Sequence, residues 1–190
     1  MTSTRHNDYL DAARASILDV GWKRTTLTDV ARRADVSRMT IYRAWPDMQT
    51  LMADLMTREW TTVVAAVPTP PDQEPTPERI ATGIVAAIDA LRVNPLFRRI
   101  LDLDPELLLP YLLDRRGRSQ QAILELLTPR IAAGQAAGHI RGGNPELLAR
   151  TILLTAHGLT LSAHTMAGEG IDEADLAAEF TALLTRGLAR

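Results

Sequence analysis

Hydrophobic positions recur every three to four residues along almost the whole chain, which is the spacing of amphipathic α-helices. Leu10, Ala13, Ile17 and Val20 form the first apolar stripe, and Gly21 is a natural helix stop. No segment shows the strict alternation of apolar and polar residues that a half-buried strand would need. The pattern therefore predicts an all-α protein with about nine helices.

Two short helices and one longer helix are predicted after the first stripe. Thr26 and Asp29 have the spacing of a capping box, and Ser37 is suited to cap the next helix. Pro46 ends that second short helix, because proline cannot continue the hydrogen-bond ladder. The predicted bounds are 27–34, 38–44 and 48–66.

A proline-rich segment, "VPTPPDQEPTP", follows the third of these helices. Its composition predicts a stiff, extended loop and marks the best domain boundary. We therefore predict an N-terminal domain over residues 1–67 and a C-terminal domain over residues 68–190. The two short helices and the turn between them, at about 27–45, fall in the first predicted domain, and the predicted helix at 48–66 links it to the second.

The helices predicted beyond the proline-rich segment are longer. Pro129 is predicted to kink or interrupt one of them, and Asn144 followed by Pro145 is a typical helix start. The helix after Pro145 is apolar nearly all round, which predicts burial on most of its sides. The main predicted ranges are 78–92, 119–137, 145–165 and 173–188.

The composition is that of an ordinary globular protein, with 46% hydrophobic and 23% charged residues among 190. The chain has no cysteine, which excludes disulfides and thiolate metal sites. Neither a signal-peptide pattern nor an apolar stretch of about 18 residues is present, so we expect a cytoplasmic protein without a membrane span. The net charge of −2 means that any nucleic-acid binding must come from a local patch.

The segment "DVSRMTIYRAWPD", residues 35–47, concentrates cations, hydroxyls and aromatic rings on a short helix. Two short helices joined by a tight turn match a helix-turn-helix, whose second helix can lie in the major groove of DNA. In that geometry Val36 and Ile41 face inward. The residues left to face outward are Arg38, Met39, Thr40, Tyr42 and Arg43.

These outward residues suit contacts with DNA. Arginine can bind a guanine edge or a phosphate, and threonine and tyrosine hydroxyls can hold phosphate oxygens. Thr25, Thr26 and Thr28 add hydroxyls at the start of the first short helix. By spacing alone, however, such a helix pair is more often a solvated surface, so both interpretations stay open at this point.

Residues 17–52 resemble the DNA-binding region of TetR-family transcriptional regulators. The phrase "AAGHIRGGNPELLARTI" also resembles the entry into the penultimate helices of that family. The matching features in the first region are, in order, Gly21-Trp22, Thr25-Thr26, Asp29-Val30-Ala31, Ala34, Val36-Ser37, Thr40-Ile41-Tyr42, Trp45 and Leu51.

The resemblance implies a dimer with an N-terminal DNA-binding domain and a C-terminal domain that binds a small molecule and dimerises. It implies phosphate contacts from Thr26, Thr28, Thr40 and Tyr42. It implies base or groove contacts from Arg38, Met39 and Arg43. Two positions depart from the family pattern: Met39 replaces a frequent glycine, and Met48 replaces a frequent phosphate-binding lysine.

The predicted function is therefore that of a dimeric repressor, which binds a palindromic double-stranded DNA operator and is released by a small, largely apolar effector. The last two helices would pair with their copies as a four-helix bundle, with Ala156, Gly158 and Ala163 permitting close approach. The alternative is a helical sensor or interaction protein on the same scaffold that no longer binds DNA. The candidate pocket residues are Trp60, Phe97, Tyr111, His157 and Leu161.

Catalysis, a metal site and a cofactor are not expected. His157 and His164 share one side of a helix, but no cysteine or acid stands at a supporting position. Asp102 and Asp104 are two residues apart and so do not share a helical face, and Asp104 precedes a proline as a helix cap would. No nucleophile elbow, phosphate loop or zinc signature is present.

Overall fold

Nine α-helices lie in the part of the chain that the structure describes. The structure is a computed structural model that describes residues 2–67 and 74–190, and these ranges contain no β-strand. A 3₁₀ turn, Pro105–Leu107, and a π-helical turn, Pro110–Asp114, precede the seventh helix. The helices are α1 Thr2–Val20, α2 Leu27–Arg33, α3 Arg38–Ala44, α4 Met48–Ala66, α5 Pro77–Arg92, α6 Pro95–Leu103, α7 Arg118–Ala136, α8 Pro145–Met166 and α9 Glu173–Leu188. The predicted all-α fold of about nine helices is confirmed.

Local capping signals set the helix bounds close to their predicted positions. The side-chain oxygen of Asn144 accepts hydrogen bonds from the backbone N–H groups of Glu146 and Leu147, and Pro145 is the first residue of α8. Pro129 does not interrupt its helix, because α7 runs through it. Proline has no N–H to donate to the carbonyl of Glu125, four residues earlier. Both residues are exposed, so this carbonyl lies on the exposed side of the helix.

The chain packs as two compact units. The N-terminal unit contains the residues up to Trp60 together with Val93–Ser119, and the C-terminal unit contains Thr61–Arg92 and Gln120–Arg190. These units do not coincide with the predicted domains, because α6 packs with α1. Most of the proline-rich boundary segment, residues 68–73, lies outside the described residues, so the boundary at residue 67 stays a prediction.

The N-terminal unit has one apolar core around α1, α2 and α3. Helix α1 contacts both α2 and α6, and α2 contacts α3. Helix α6 joins this core because Leu96 and Ile100 on its apolar side are completely buried. The other completely buried large side chains of this core are Ile17, Val30, Ile41, Trp45, Leu51 and Leu55.

The C-terminal unit is built on α5, α8 and α9, which contact one another in pairs. Its buried core residues are Ile80, Leu124, Ile131, Ile140, Leu148, Ala149, Ile152 and Leu188. The prediction that α8 is buried on most sides is wrong for the single chain. One side of α8 is buried, for example at Leu148, whereas Leu154 on another side is 71% exposed.

No single helix in residues 2–67 and 74–190 is long and apolar enough to cross a membrane, although the consecutive helices α5 and α6 reach that threshold together.

Candidate DNA-binding interface

The second helix of the helix-turn-helix, α3, is divided sharply into a buried and an exposed side. Ser37 caps its start by accepting the N–H of Thr40 at 3.2 Å. Ile41 and the following Trp45 have no exposed surface. Four of the five residues predicted to face outward are exposed, namely Arg38, Met39, Tyr42 and Arg43, and Thr40 is half-buried. The predicted inward position of Ile41 is confirmed.

Two exposed arginines supply free positive charge on α3. Neither Arg38 nor Arg43 forms a hydrogen bond or ion pair with another described residue. The arginines of α2 differ, because Arg32 pairs with Asp29 at 2.9 Å and Arg33 pairs with Asp19. Of these two helices, α3 is therefore the one that carries unpaired cations.

The start of α2 carries the predicted capping box. The Thr26 hydroxyl accepts the N–H of Asp29 at 3.2 Å, and the Asp29 carboxylate accepts the N–H of Thr26 at 3.1 Å. The same carboxylate accepts the Thr26 hydroxyl at 2.6 Å, and this hydrogen bond is the main reason why the pKa of Asp29 lies below its usual value. Thr28 is exposed beside the cap.

Thr25 lies differently from the other predicted contact residues. It is buried, and its hydroxyl donates to the carbonyl of Gly21 at 2.8 Å. In this conformation the hydroxyl is not presented to a DNA phosphate. Its role here is to close the turn between α1 and α2, where Gly21 has a φ of 85° that an L-residue would rarely adopt.

A buried carboxylate, which the sequence did not reveal, anchors this same turn. Asp104 accepts the N–H of Trp22 at 3.0 Å and lies 3.8 Å from the ammonium nitrogen of Lys23. Asp104 does occupy the predicted cap position before Pro105, but its side chain makes no capping hydrogen bond to the 3₁₀ turn. Lys23 also pairs with Glu106 at 2.5 Å, and that pair raises the pKa of Lys23. Arg24, which sequence reasoning overlooked, remains exposed next to the turn.

The start of α4 is anionic. The side-chain oxygen of Asp47 accepts the N–H of Thr50 at 2.7 Å, and this hydrogen bond lowers the pKa of Asp47. Met48 is half-buried and packs against the apolar core. A helix start without a lysine and with a carboxylate cap is less attractive to phosphate than a bare helix N-terminus.

The five candidate pocket residues are split between the two units. In the N-terminal unit, the buried rings of Trp60 and Phe97 contact each other edge-on, with centroids 5.4 Å apart. Tyr111 is half-buried in the same unit, under the guanidinium group of Arg115. In the C-terminal unit, His157 and Leu161 are half-buried one turn apart on α8, and burial lowers the pKa of His157.

Comparison with known proteins agrees with this arrangement. The sequence profile of the bacterial regulatory proteins of the tetR family matches residues 10–55, which include α2 and α3. An uncharacterised HTH-type transcriptional regulator of Mycobacterium bovis is 37% identical over 172 residues, which are 90% of this chain and 88% of that protein.

Solved structures share the fold at low sequence identity. The TetR-family transcriptional repressor QsdR of R. erythropolis aligns with a TM-score of 0.68 at 16% identity, covering 100% of this chain and 98% of that one. FadR of Bacillus subtilis, solved in complex with stearoyl-CoA, aligns with a TM-score of 0.63 at 18% identity, covering 95% and 98%. Together with the profile and the similarity along most of the chain, these findings show that the protein belongs to the TetR family of transcriptional regulators.

Proposed function

We propose that the protein is a dimeric repressor that binds a palindromic operator through α3 and leaves it when a small, largely apolar effector binds. The observation that carries this proposal is the two-sided character of α3. Ile41 and Trp45 are completely buried beneath it, while Arg38 and Arg43 are exposed without a partner among the described residues. A helix held rigidly from below, with free cations above, suits entry into the major groove.

The outward residues divide into base and phosphate contacts. Arg38 and Arg43 can donate paired hydrogen bonds to a guanine edge, and Met39 can pack on a thymine methyl group. The hydroxyls of Tyr42, Thr40 and Thr28 suit phosphate oxygens. Thr26 supports this surface as the cap of α2, because its hydroxyl proton is already donated to Asp29.

A dimer is proposed because α8 and α9 leave apolar side chains exposed. Leu147 and Leu154 lie two turns apart on α8, and Leu183 on α9 is also exposed. Gly158, one turn beyond Leu154 on α8, has open space around it. Ala156 and Ala163, which were predicted to allow close approach of a second copy, are instead buried within the unit. The leucines therefore carry the proposed interface.

Replacing Leu154 by glutamate is expected to shift the protein from dimer to monomer, because a charge would be buried without a partner in the interface. Sedimentation equilibrium on the full chain measures this shift. Leu113→Glu is the matched control, since Leu113 is a leucine exposed to a similar degree in the N-terminal unit. A Leu154→Glu variant that stays dimeric would contradict the assignment of this face.

The proposed effector is largely apolar, because the candidate pocket residues of the N-terminal unit offer mainly aromatic surface with few polar groups. Trp60 and Phe97 already pair as buried rings. The similarly folded FadR was solved with stearoyl-CoA, whose acyl chain is long and apolar.

Enrichment of bound fragments from random duplex DNA tests the proposed function directly. We expect recovery of a short palindrome with half-sites about one helical turn, ~34 Å, apart or a multiple of it. Recovery of no sequence would favour the alternative of a sensor that no longer binds DNA. The carboxylate cap of α4 and the packed Met48 are the observations that support this alternative.

Replacing Tyr42 by phenylalanine is expected to weaken binding to the recovered palindrome by ~1.5–3 kcal/mol, the contribution of a hydrogen bond to a charged group. The ring stays in place, so the folded protein should be unaffected. Fluorescence anisotropy with a labelled duplex gives the affinity. The control is Tyr9→Phe, since Tyr9 packs against the core beside Trp45. An unchanged affinity for Tyr42→Phe would remove the phosphate contact from the proposal.

A further inference from the structure

A single carboxylate joins the end of α3 to two other helices. Trp45 is the residue that caps the C-terminus of α3, and its indole N–H donates to Oδ2 of Asp54 in α4 at 2.6 Å. The other oxygen of Asp54 lies 2.5 Å from Nη1 of Arg118, the first residue of α7. Asp54 therefore connects the end of α3, the middle of α4 and the start of α7 within the N-terminal unit.

The indole of Trp45 is also held by rings of α1. The centroid of the His6 ring lies 4.4 Å from that of Trp45, and Tyr9 meets the indole edge-on at 6.4 Å. His6 Nε2 is 3.7 Å from Oδ2 of Asp54. Trp45 is completely buried between these groups. A displacement of the Asp54 side chain would therefore move the indole, and with it the end of α3.

We propose that Arg118 is a positioning residue for DNA recognition. Arg118 holds Asp54, Asp54 holds the indole of Trp45, and the indole fixes the angle at which α3 presents its outward face. This inference rests on the proposed function of α3. Because α7 continues from Arg118 into residues of the C-terminal unit, a displacement of the start of α7 would change the orientation of α3 along this path.

Affinity and stability should respond differently to the loss of Arg118. The Arg118 side chain is 57% exposed and that of Asp54 is 22% exposed. An ion pair with one partner in solvent contributes little to the stability of a fold. Base recognition, in contrast, requires side chains to be held close to their productive geometry, and small displacements of the supporting residues are costly. The role of Arg118 should therefore be visible in DNA binding and nearly absent from unfolding.

The test compares Arg118→Met with Arg98→Met in the full chain. Arg98 is an exposed arginine of α6 in the same unit, so both variants lose one positive charge. We expect Arg118→Met to bind the palindrome recovered by the parent protein about 5- to 10-fold more weakly, the range of a modest coupling between sites. The thermal midpoint of Arg118→Met should stay close to that of the parent. Arg98→Met should keep both the thermal midpoint and the affinity of the parent.

The dependence of affinity on salt separates positioning from direct contact. If Arg118 itself bound a phosphate, its loss would reduce the slope of log affinity against log salt by about 0.9. A positioning residue leaves this slope unchanged. Arg118→Lys should restore the affinity, because a single cationic donor can replace the one contact that the structure shows.

A readout without DNA completes the test. The indole N–H resonance of Trp45, assigned with Trp45→Phe, should move in Arg118→Met and stay in place in Arg98→Met. An unmoved resonance overturns the path, and so does equal affinity of Arg118→Met and parent, or a reduced salt slope. If the parent protein binds no duplex although the Trp45 resonance moves in Arg118→Met, the proposed function is overturned, and the inference about DNA recognition is overturned with it.

Discussion

Replacing Trp45 by alanine is expected to lower the free energy of unfolding of the N-terminal unit by about 3–5 kcal/mol, the usual cost of removing a buried aromatic side chain. Trp45 has no exposed surface and lies among the core residues between α1 and α4. The substitution leaves a cavity beside His6 and Tyr9 and takes the hydrogen-bond donor from Asp54. Urea unfolding followed by circular dichroism measures the effect.

Tyr42→Ala is the matched control for this prediction. Tyr42 is an aromatic residue of the same helix, but it is 47% exposed, so its loss should change stability by no more than ~0.5 kcal/mol. Amide hydrogen exchange should show faster opening of α3 in Trp45→Ala and not in Tyr42→Ala. Equal urea midpoints for Trp45→Ala and the parent would mean that the indole is not packed as the structure has it.

The contrast between these two aromatics was predictable from the sequence, and the reason is that it depends on local spacing. Trp45 follows the inward Ile41 by four residues and therefore lies on the same side of the helix. Tyr42 is the neighbour of Ile41 and therefore points to a different side, which is exposed. The cap of α2 by Thr26 and the cap of α3 by Ser37 are equally local. Interactions within four residues of the chain leave their signature in the sequence itself.

The contacts that hold the helix-turn-helix from outside could not be predicted in this way. Asp104 binds the backbone of Trp22 across 82 residues, and Arg118 meets Asp54 across a separation that no periodicity spans. The sequence indicated only the local position of Asp104, as an acid before a proline at a helix start, and not the distant backbone that its side chain binds. The sequence also assigned α6 to the C-terminal domain, whereas α6 packs in the N-terminal unit, because an apolar helix face does not specify which core it joins.

The exposed face of α8 shows a second limit of prediction from hydrophobic patterning. An apolar pattern all round a helix predicts burial, and the single chain buries only part of it, with Leu147 and Leu154 exposed. Hydrophobic patterning records the sum of intramolecular and intermolecular burial without separating the two. The excess apolar surface on α8 is the quantity that the proposed dimer would account for.

Replacing Gly134 by valine is expected to lower the stability of the C-terminal unit by about 3 kcal/mol, at the upper end of the usual cost of overpacking. A Cβ atom at Gly134 would lie 2.6 Å from the backbone oxygen of Pro75 and 2.5 Å from Cδ1 of Ile140. The Ile140 side chain can rotate away, but a backbone oxygen cannot move without displacing the segment before α5. Gly83→Val in α5 is the control, because a Cβ there meets nothing within 4 Å and valine has a slightly better helix propensity than glycine. Urea unfolding should therefore show a large loss for the first variant and a midpoint close to that of the parent for the second, whereas similar midpoints for the two variants would show that Gly134 is not in contact with Pro75.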